Sequence, residues 1–285
     1  MRIVHKSDQI KLSTNRESFS CISKIIRLAN KEFGSKMVFD LKKTKKADGN
    51  LKSVYAALDY NLRKSRNTLR ILPKKSKALN VELKKDMFGY YTQWEHEIEA
   101  TFCSGGTKVY AFDPFDYWKF NEYLLFEAFR ADWKRIIPCY YKTEIKDFLR
   151  NLFRNASEHS NSHSPIFIAS AYDGEMLRFT IIDCGQGFLK SIDSTGQCAV
   201  NESEAIGLAL LGYTSKDTDG SNTLRLLGQY CSENNGDLLV VSGGSSVSFD
   251  KNGFHNSAWL PGAFRGSIIN FSVKIKLPEF LSFAA

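Results

Sequence analysis

Three polar residues recur at four-residue spacing in the stretch NLFRNASEHS: Asn151, Asn155 and His159. On a helix that spacing makes one row. The row holds two neutral amides, each able to donate and accept, and an imidazole. At about 100° per residue, Ile145, Phe148, Leu149, Leu152, Phe153 and Ala156 fall on one side of the helix. Lys146, Asp147, Arg150, Arg154, Ser157 and Glu158 fall on the other, and the polar row follows one edge of the apolar stripe. Asparagine is a weak helix former, so propensity does not account for two of them. Taken alone, the row reads equally as a polar seam bonded to a neighbouring loop or as donors and acceptors overlooking a cleft. A second constellation favours the cleft. In RFTIIDCGQGF, Asp183 follows a strand pattern directly and Gly185 and Gly187 alternate after it. Such glycines let backbone approach a ligand closely, and the carboxylate can accept a hydrogen bond from an exocyclic amine. Asparagine helix, strand and D-x-G-x-G loop in that order, about 28 residues apart, is far more specific than either motif alone.

The elements that must position these residues are legible around them. A helix is expected from 143 to about 160, and then PIFIASAY and EMLRFTIID as strands joined by a tight Asp-Gly turn. Helices near 202–211 and 223–234 flank a Gly/Ser/Asp/Thr loop at 212–222. Strands DLLVVSG and GSIINFSVKIKL come last, with SSVSFDKNGFHNSAWLPGAF as a long connection. This is an α+β arrangement with a mostly antiparallel sheet. Upstream, Thr14 and Glu17 suggest a capping box for a helix at 14–33 that stops at Gly34. KMVFDL and NTLRILP read as strands on either side of a helix carrying Leu51, Val54, Tyr55, Leu58 and Leu62. Strand, helix, strand is a βαβ unit with a parallel pair. A further helix is expected at roughly 77–87, and His5 falls in a tail. Residues 88–142 are rich in aromatics, which points to packing between lobes, with a helix near 118–131 and a loop around Gly105 and Gly106. The expected organisation is a basic α/β lobe at 1–88, a connector at 89–142 and a second domain at 143–285.

Composition narrows the class. The chain has 285 residues, enough for a sizeable core. Nothing at the start resembles a signal peptide, and no run is long enough to span a bilayer. Six scattered cysteines without a C-x-x-C pair suit a reducing, cytoplasmic compartment. Residues 1–86 carry 22 Lys and Arg against 8 Asp and Glu, whereas the remainder carries 17 against 23. A lobe that basic either is a solvated surface or meets an acidic partner or nucleic acid.

Residues 143–277 resemble the Bergerat-fold ATP-binding domain shared by gyrase B, histidine kinases and MutL, the GHKL superfamily. NLFRNASEH resembles its N-box, DCGQG its G1 box and GSIINFSVKI its closing G-[ST] strand; GYTSKDT and DGSNTL occupy the places of the lid and the G2 box. The resemblance implies ATP and Mg²⁺ as cofactors. Asn155 would hold Mg²⁺, which takes only one or two protein oxygens when phosphates and water supply the rest. Asp183 would take the adenine amino group, Gly185 and Gly187 would shape that wall, Ser267 would stand near the adenine, and His159 near the phosphates. Gly220 remains in the glycine-rich loop, and Lys216 in the lid is a candidate phosphate contact on chemistry alone.

Two departures bear on activity. Hydrolysing members carry a water-activating glutamate where this chain has Asn151, and an amide is not a general base. Histidine kinases typically have Asn there. Ser221 and Thr223 stand where the G2 box has glycines. A weaker resemblance to a STAS module covers about 50 residues of the first lobe, where ADGNL lacks the usual phosphoacceptor serine and Thr44 and Ser53 lie nearby. Together these imply a nucleotide-gated partner switch with slow or no ATP hydrolysis. The alternative is a serine/threonine kinase of the anti-sigma type, and a third reading is a nucleotide-free scaffold with a nucleic-acid-binding lobe. The expected partner is a protein held by the N-terminal lobe, with nucleic acid as the second class, no membrane, and a homodimer as one assembly. The enzymatic outcome, weak ATPase or kinase, is left open.

Overall fold

The computed structural model describes residues 2–9, 11–72, 79–80, 82–86, 89–93, 102–103, 108–129, 131–193, 198–213, 222–249 and 255–276. The chain starts with β1 (Arg2–Lys6), not a tail, followed by β2 (Lys11–Leu12), α1 (Arg16–Ala29), β3 (Lys36–Asp40) and β4 (Lys46–Asp48). A 3₁₀ turn at Gly49–Leu51 leads into α2 (Lys52–Lys64) and β5 (Thr68–Leu72). β1, β3 and β5 run parallel, as two successive βαβ units require. The short β6 (Leu79–Asn80) adds antiparallel to β5. A second, three-stranded parallel sheet joins β2, β4 and β9 (Phe102–Cys103).

The helix expected at 77–87 is replaced by β6 and β7 (Glu82–Asp86), which turns into β8 (Gly89–Gln93). The sequence LNVELK alternates apolar and polar with period two, and that strand signal outweighs the lysine-rich helix propensity around it. The stretch expected as a connector supplies β8 and β10 (Val109–Phe112) to the main sheet. It also supplies α3 (Tyr117–Phe126) and the one-turn α4 (Ala131–Lys134), where a single helix was expected. Gly105 and Gly106 lie outside the described residues.

After α5 (Cys139–His159) come β11 (Ile166–Tyr172) and β12 (Met176–Asp183), paired antiparallel across the Asp-Gly turn, where Gly174 has φ +98°. A short helix not anticipated from sequence, α6 (Gly187–Asp193), precedes α7 (Glu202–Leu211) and α8 (Thr223–Glu233). β13 (Leu238–Phe249) and β14 (His255–Lys274) close the fold. The long connection expected between them is instead the outer half of this hairpin, with Ser245 facing Trp259 and Ser248 facing Asn256. Its alternating Ser, Val and Phe fit a pleated strand. The seven-stranded sheet is antiparallel throughout, in the order β13-β14-β12-β11-β10-β8-β7.

Both faces of this sheet are buried in its middle, so β11, IFIASAY, is buried at six of its seven positions. Phe179 and Ile181 of β12, with Ile269 and Phe271 of β14, face α3, α5, α7 and α8. Ile182 and Ile268, with Phe167 and Val241, face α1 and α2, whose other sides rest on Met37, Phe39, Leu69 and Ile71 of the parallel sheet. The protein is thus a mixed α/β structure in which α1 and α2 are sandwiched between a parallel and an antiparallel sheet. α2 is accordingly buried along its whole first half, Lys52 to Asp59. α1 docks on β14 at Gly262, where a Cβ would lie 2.1 Å from the Ser23 carbonyl. No helix among the described residues is long and apolar enough to cross a membrane.

Candidate functional site

α5 packs Tyr141, Ile145, Leu149, Leu152 and Phe153 into the core. Asn151, Asn155 and His159 are half-buried at the edge of that stripe, and Glu158 is exposed. The Asn151 side-chain oxygen accepts from the Arg154 guanidinium at 3.0 Å. The Asn155 side chain has no hydrogen-bond partner among the described residues, so its carboxamide is available to a ligand. The C-terminal end of the helix is tied to the loop after β12. The Gln186 amide N–H donates to the Ser160 carbonyl at 2.9 Å, and the Gln186 side chain donates to the His159 carbonyl at 3.0 Å. One turn of α5 therefore separates Asn155 from the glycine loop.

Asp183 ends β12 and is buried on the face shared with α5. Its carboxylate accepts from the Gly185 N–H at 2.9 Å and from the Ser267 hydroxyl, which stands directly opposite in the β12–β14 register. Burial pushes the Asp183 carboxyl above its ordinary value, and the bonds from Ser267 and Gly185 oppose that shift. Each carboxylate oxygen has two acceptor sites, so capacity remains for an amine. The glycines are sterically required. A Cβ on Gly185 would lie 2.1 Å from the Ser160 carbonyl oxygen. Gly187 has φ +81°, and a Cβ there would meet the Ser242 hydroxyl at 2.7 Å. Ser242 in turn accepts from Phe188 N–H and donates to the Gly266 carbonyl, both at 3.1 Å.

The structure thus brings Asp183, Gly185, Gly187 and Ser267 onto one loop and one rung, with His159 and Asn155 on the adjoining helix. Lys216 and Gly220 lie outside the described residues, as does Ser221; Thr223 is buried in the first turn of α8. Sequence reasoning did not single out Gly266, whose φ of +84° places it against the Asp183 carbonyl. Nor did it single out the polar pocket of about 290 Å³ on the flank of the glycine loop, lined by Asn161, Gln186, Lys190, Glu202 and Arg265. These residues come from four separate segments, so no spacing in the chain announces them. Asn155, Asp183 and Ser267 do not line that pocket. Glu202 accepts from the Leu189 N–H at 3.2 Å.

Among the described residues no group of three His, Cys, Asp or Glu side chains is placed to hold a metal. A Mg²⁺ ion here would rely on the Asn155 amide and on a ligand's phosphates, a donor set that this ion accepts. In the first lobe, Thr44 and Ser53 are buried and bonded, Thr44 to the Gln9 carbonyl at 2.9 Å and Ser53 to the Asn50 carbonyl at 2.7 Å. Neither offers a free hydroxyl for modification. Compared with protein families, curated proteins and solved structures, the chain matches none.

Proposed function

We propose that residues 143–285 bind ATP and Mg²⁺ in the manner of a GHKL domain and that the chain is a nucleotide-gated partner switch. Asp183 carries the reading: a buried carboxylate at a strand end, facing Ser267, under a loop whose glycines admit no side chain. Asp183 has no cationic partner among the described residues, and a buried carboxylate is retained against its desolvation cost where it has something to accept; an exocyclic amine is such a donor. Asn155, one turn from that loop with its amide uncommitted, would hold Mg²⁺; His159, Lys216 and Gly220 would lie toward the phosphates. The first lobe, with the parallel strands β1, β3 and β5 joined by α1 and α2, would grip the partner, as the resemblance to a STAS module implies.

Asn151 supports binding over turnover. Its oxygen is engaged by Arg154 and it has no basic lone pair to activate water. Glu158 is exposed and does not replace it. The same observation favours, as the second reading, phosphoryl transfer to a protein, which needs no water-activating base in this position.

Thermal unfolding with and without Mg²⁺-ATP tests the proposal. Ligand at a hundredfold excess over its dissociation constant adds about 2.7 kcal/mol to stability. The shift should disappear in Asn155→Ala and in Asp183→Ala, each still folded. No shift at millimolar ATP in the wild type, or a full shift in either variant, rejects it. Labelled ATP then separates the two readings, since a switch leaves the label on nucleotide and a kinase moves it to protein.

A further inference from the structure

We infer that the first lobe carries a surface for the phosphate backbone of nucleic acid, centred on the turn after β3 and the first rung of the β2–β4 pair. Lys6, Lys11, Lys42, Lys43, Lys45 and Lys46 are all exposed there. The turn is pinned: Lys42 N–H donates to the Asp40 carboxylate, Thr44 N–H to the Leu41 carbonyl and the Thr44 hydroxyl to the Gln9 carbonyl, each at 2.9 Å. Lys6 is in register with Asp40, and Lys11 with Lys46, so the six lysines surround one ordered corner of the lobe. None of them pairs with a carboxylate among the described residues.

The surface is more cationic than the sequence suggests, because the lobe's carboxylates are turned inward. Asp40 is buried and bonded to the turn. Asp48 accepts from the Thr14 N–H at 3.1 Å and faces Arg178 at 3.7 Å. Asp59 is buried, with the Leu69 N–H at 2.8 Å and Arg63. Over the described residues of 2–72, 14 Lys and Arg side chains are exposed against two carboxylates, Asp8 and Glu17.

One pair of like charges at this corner stands directly side by side in the parallel register, Lys11 with Lys46. Neighbouring strands lie about 4.8 Å apart, and like charges facing each other destabilise a sheet. A polyanion laid along them removes that repulsion. The patch offers little apolar anchor: Val4 and Phe33 are the lobe's exposed large hydrophobics among the described residues, and only Val4, on the same face of β1 as Lys6, borders the lysine corner. Protein interfaces draw their affinity from buried aromatic and apolar anchors, whereas phosphate contacts need only donors and charge. The chemistry therefore favours nucleic acid over an acidic protein.

Fluorescence anisotropy of a labelled mixed-sequence DNA duplex, titrated with the full chain at increasing salt, tests this. If about four phosphates are neutralised, log affinity falls against log salt with a slope of about −3.6, or roughly 150-fold between ~50 and ~200 mM. The K42E/K43E/K45E/K46E variant, shown to be folded by a cooperative thermal transition, should bind more than about tenfold more weakly. The milder K43Q/K45Q variant should reduce the slope by about 2. Asp183→Ala should bind duplex as the wild type does, which keeps this result independent of the nucleotide reading. A slope near zero, wild-type affinity in the quadruple variant, or tighter capture of polyglutamate than of duplex overturns the inference, the last by showing an acidic-protein surface.

Discussion

At Asp183, the carboxylate proposed to bind the nucleotide sits where its burial weakens the fold. Burial makes the folded protein hold this proton more tightly than the unfolded chain does, whose carboxyl has the ordinary value near 3.8. Above that value the folded state binds more protons, so stability falls as pH rises from the ordinary carboxylate value through the raised one. Asp183→Asn removes this dependence. It keeps an oxygen for the Gly185 N–H, and its amide can donate to the Ser267 hydroxyl. Relative to the wild type, its thermal midpoint should therefore climb as pH is taken from about 3.5 to 7, while Mg²⁺-ATP should cease to raise it. A midpoint difference that stays flat with pH would mean that Asp183 carries no burial penalty. Asp183, Gly185 and Gly187 were legible in the sequence because their chemistry is local, one loop after one strand. Gly266, Lys190, Glu202 and Arg265 were not, because each matters only through a partner far along the chain.

Elements were legible where a single period dominated. The row on α5 and the Asp-Gly hairpin follow from a clean apolar stripe and a turn dipeptide, and α7 spans 202–211 as read. Reading failed where two signals competed. LNVELK offered strand alternation inside a lysine-rich segment, and the serine-rich outer half of the β13–β14 hairpin looked like a connection because its residues are polar. The cap of α1 is the most instructive case. Thr14 and Glu17 fit a capping box, yet the helix starts at Arg16 with Asn15 as its cap, whose side chain accepts from the Ser18 N–H at 3.0 Å. Thr14 instead gives its backbone N–H to Asp48. Asn15→Ala should lower stability by about 1 kcal/mol, and Thr14→Ala should change it by no more than about 0.5 kcal/mol. Equal losses in denaturant titrations would restore the capping box.

Across the whole molecule, charge divides the chain more sharply than packing does. The first lobe is basic and the remainder mildly acidic, yet one hydrophobic core runs from β3 and β5 through α1 and α2 to β11, β12 and β14. Polar contacts cross the same layer: Asn50, fully buried in the 3₁₀ turn, donates to the Thr180 hydroxyl of β12 at 2.8 Å, and Asp48 faces Arg178. If the lobes were separable, unfolding one would strand α1 and α2 with an exposed apolar side. The expectation is one cooperative transition, with calorimetric and van't Hoff enthalpies equal. Asn50→Ala removes a buried hydrogen bond worth about 1 kcal/mol and should lower that single midpoint by about 2 °C without splitting it. Two transitions, or a variant that moves only part of the signal, would show lobes that fold independently. With one transition, stabilisation by any ligand at Asp183 would extend to the parallel sheet as well, since α1 and α2 pack against both sheets in one core.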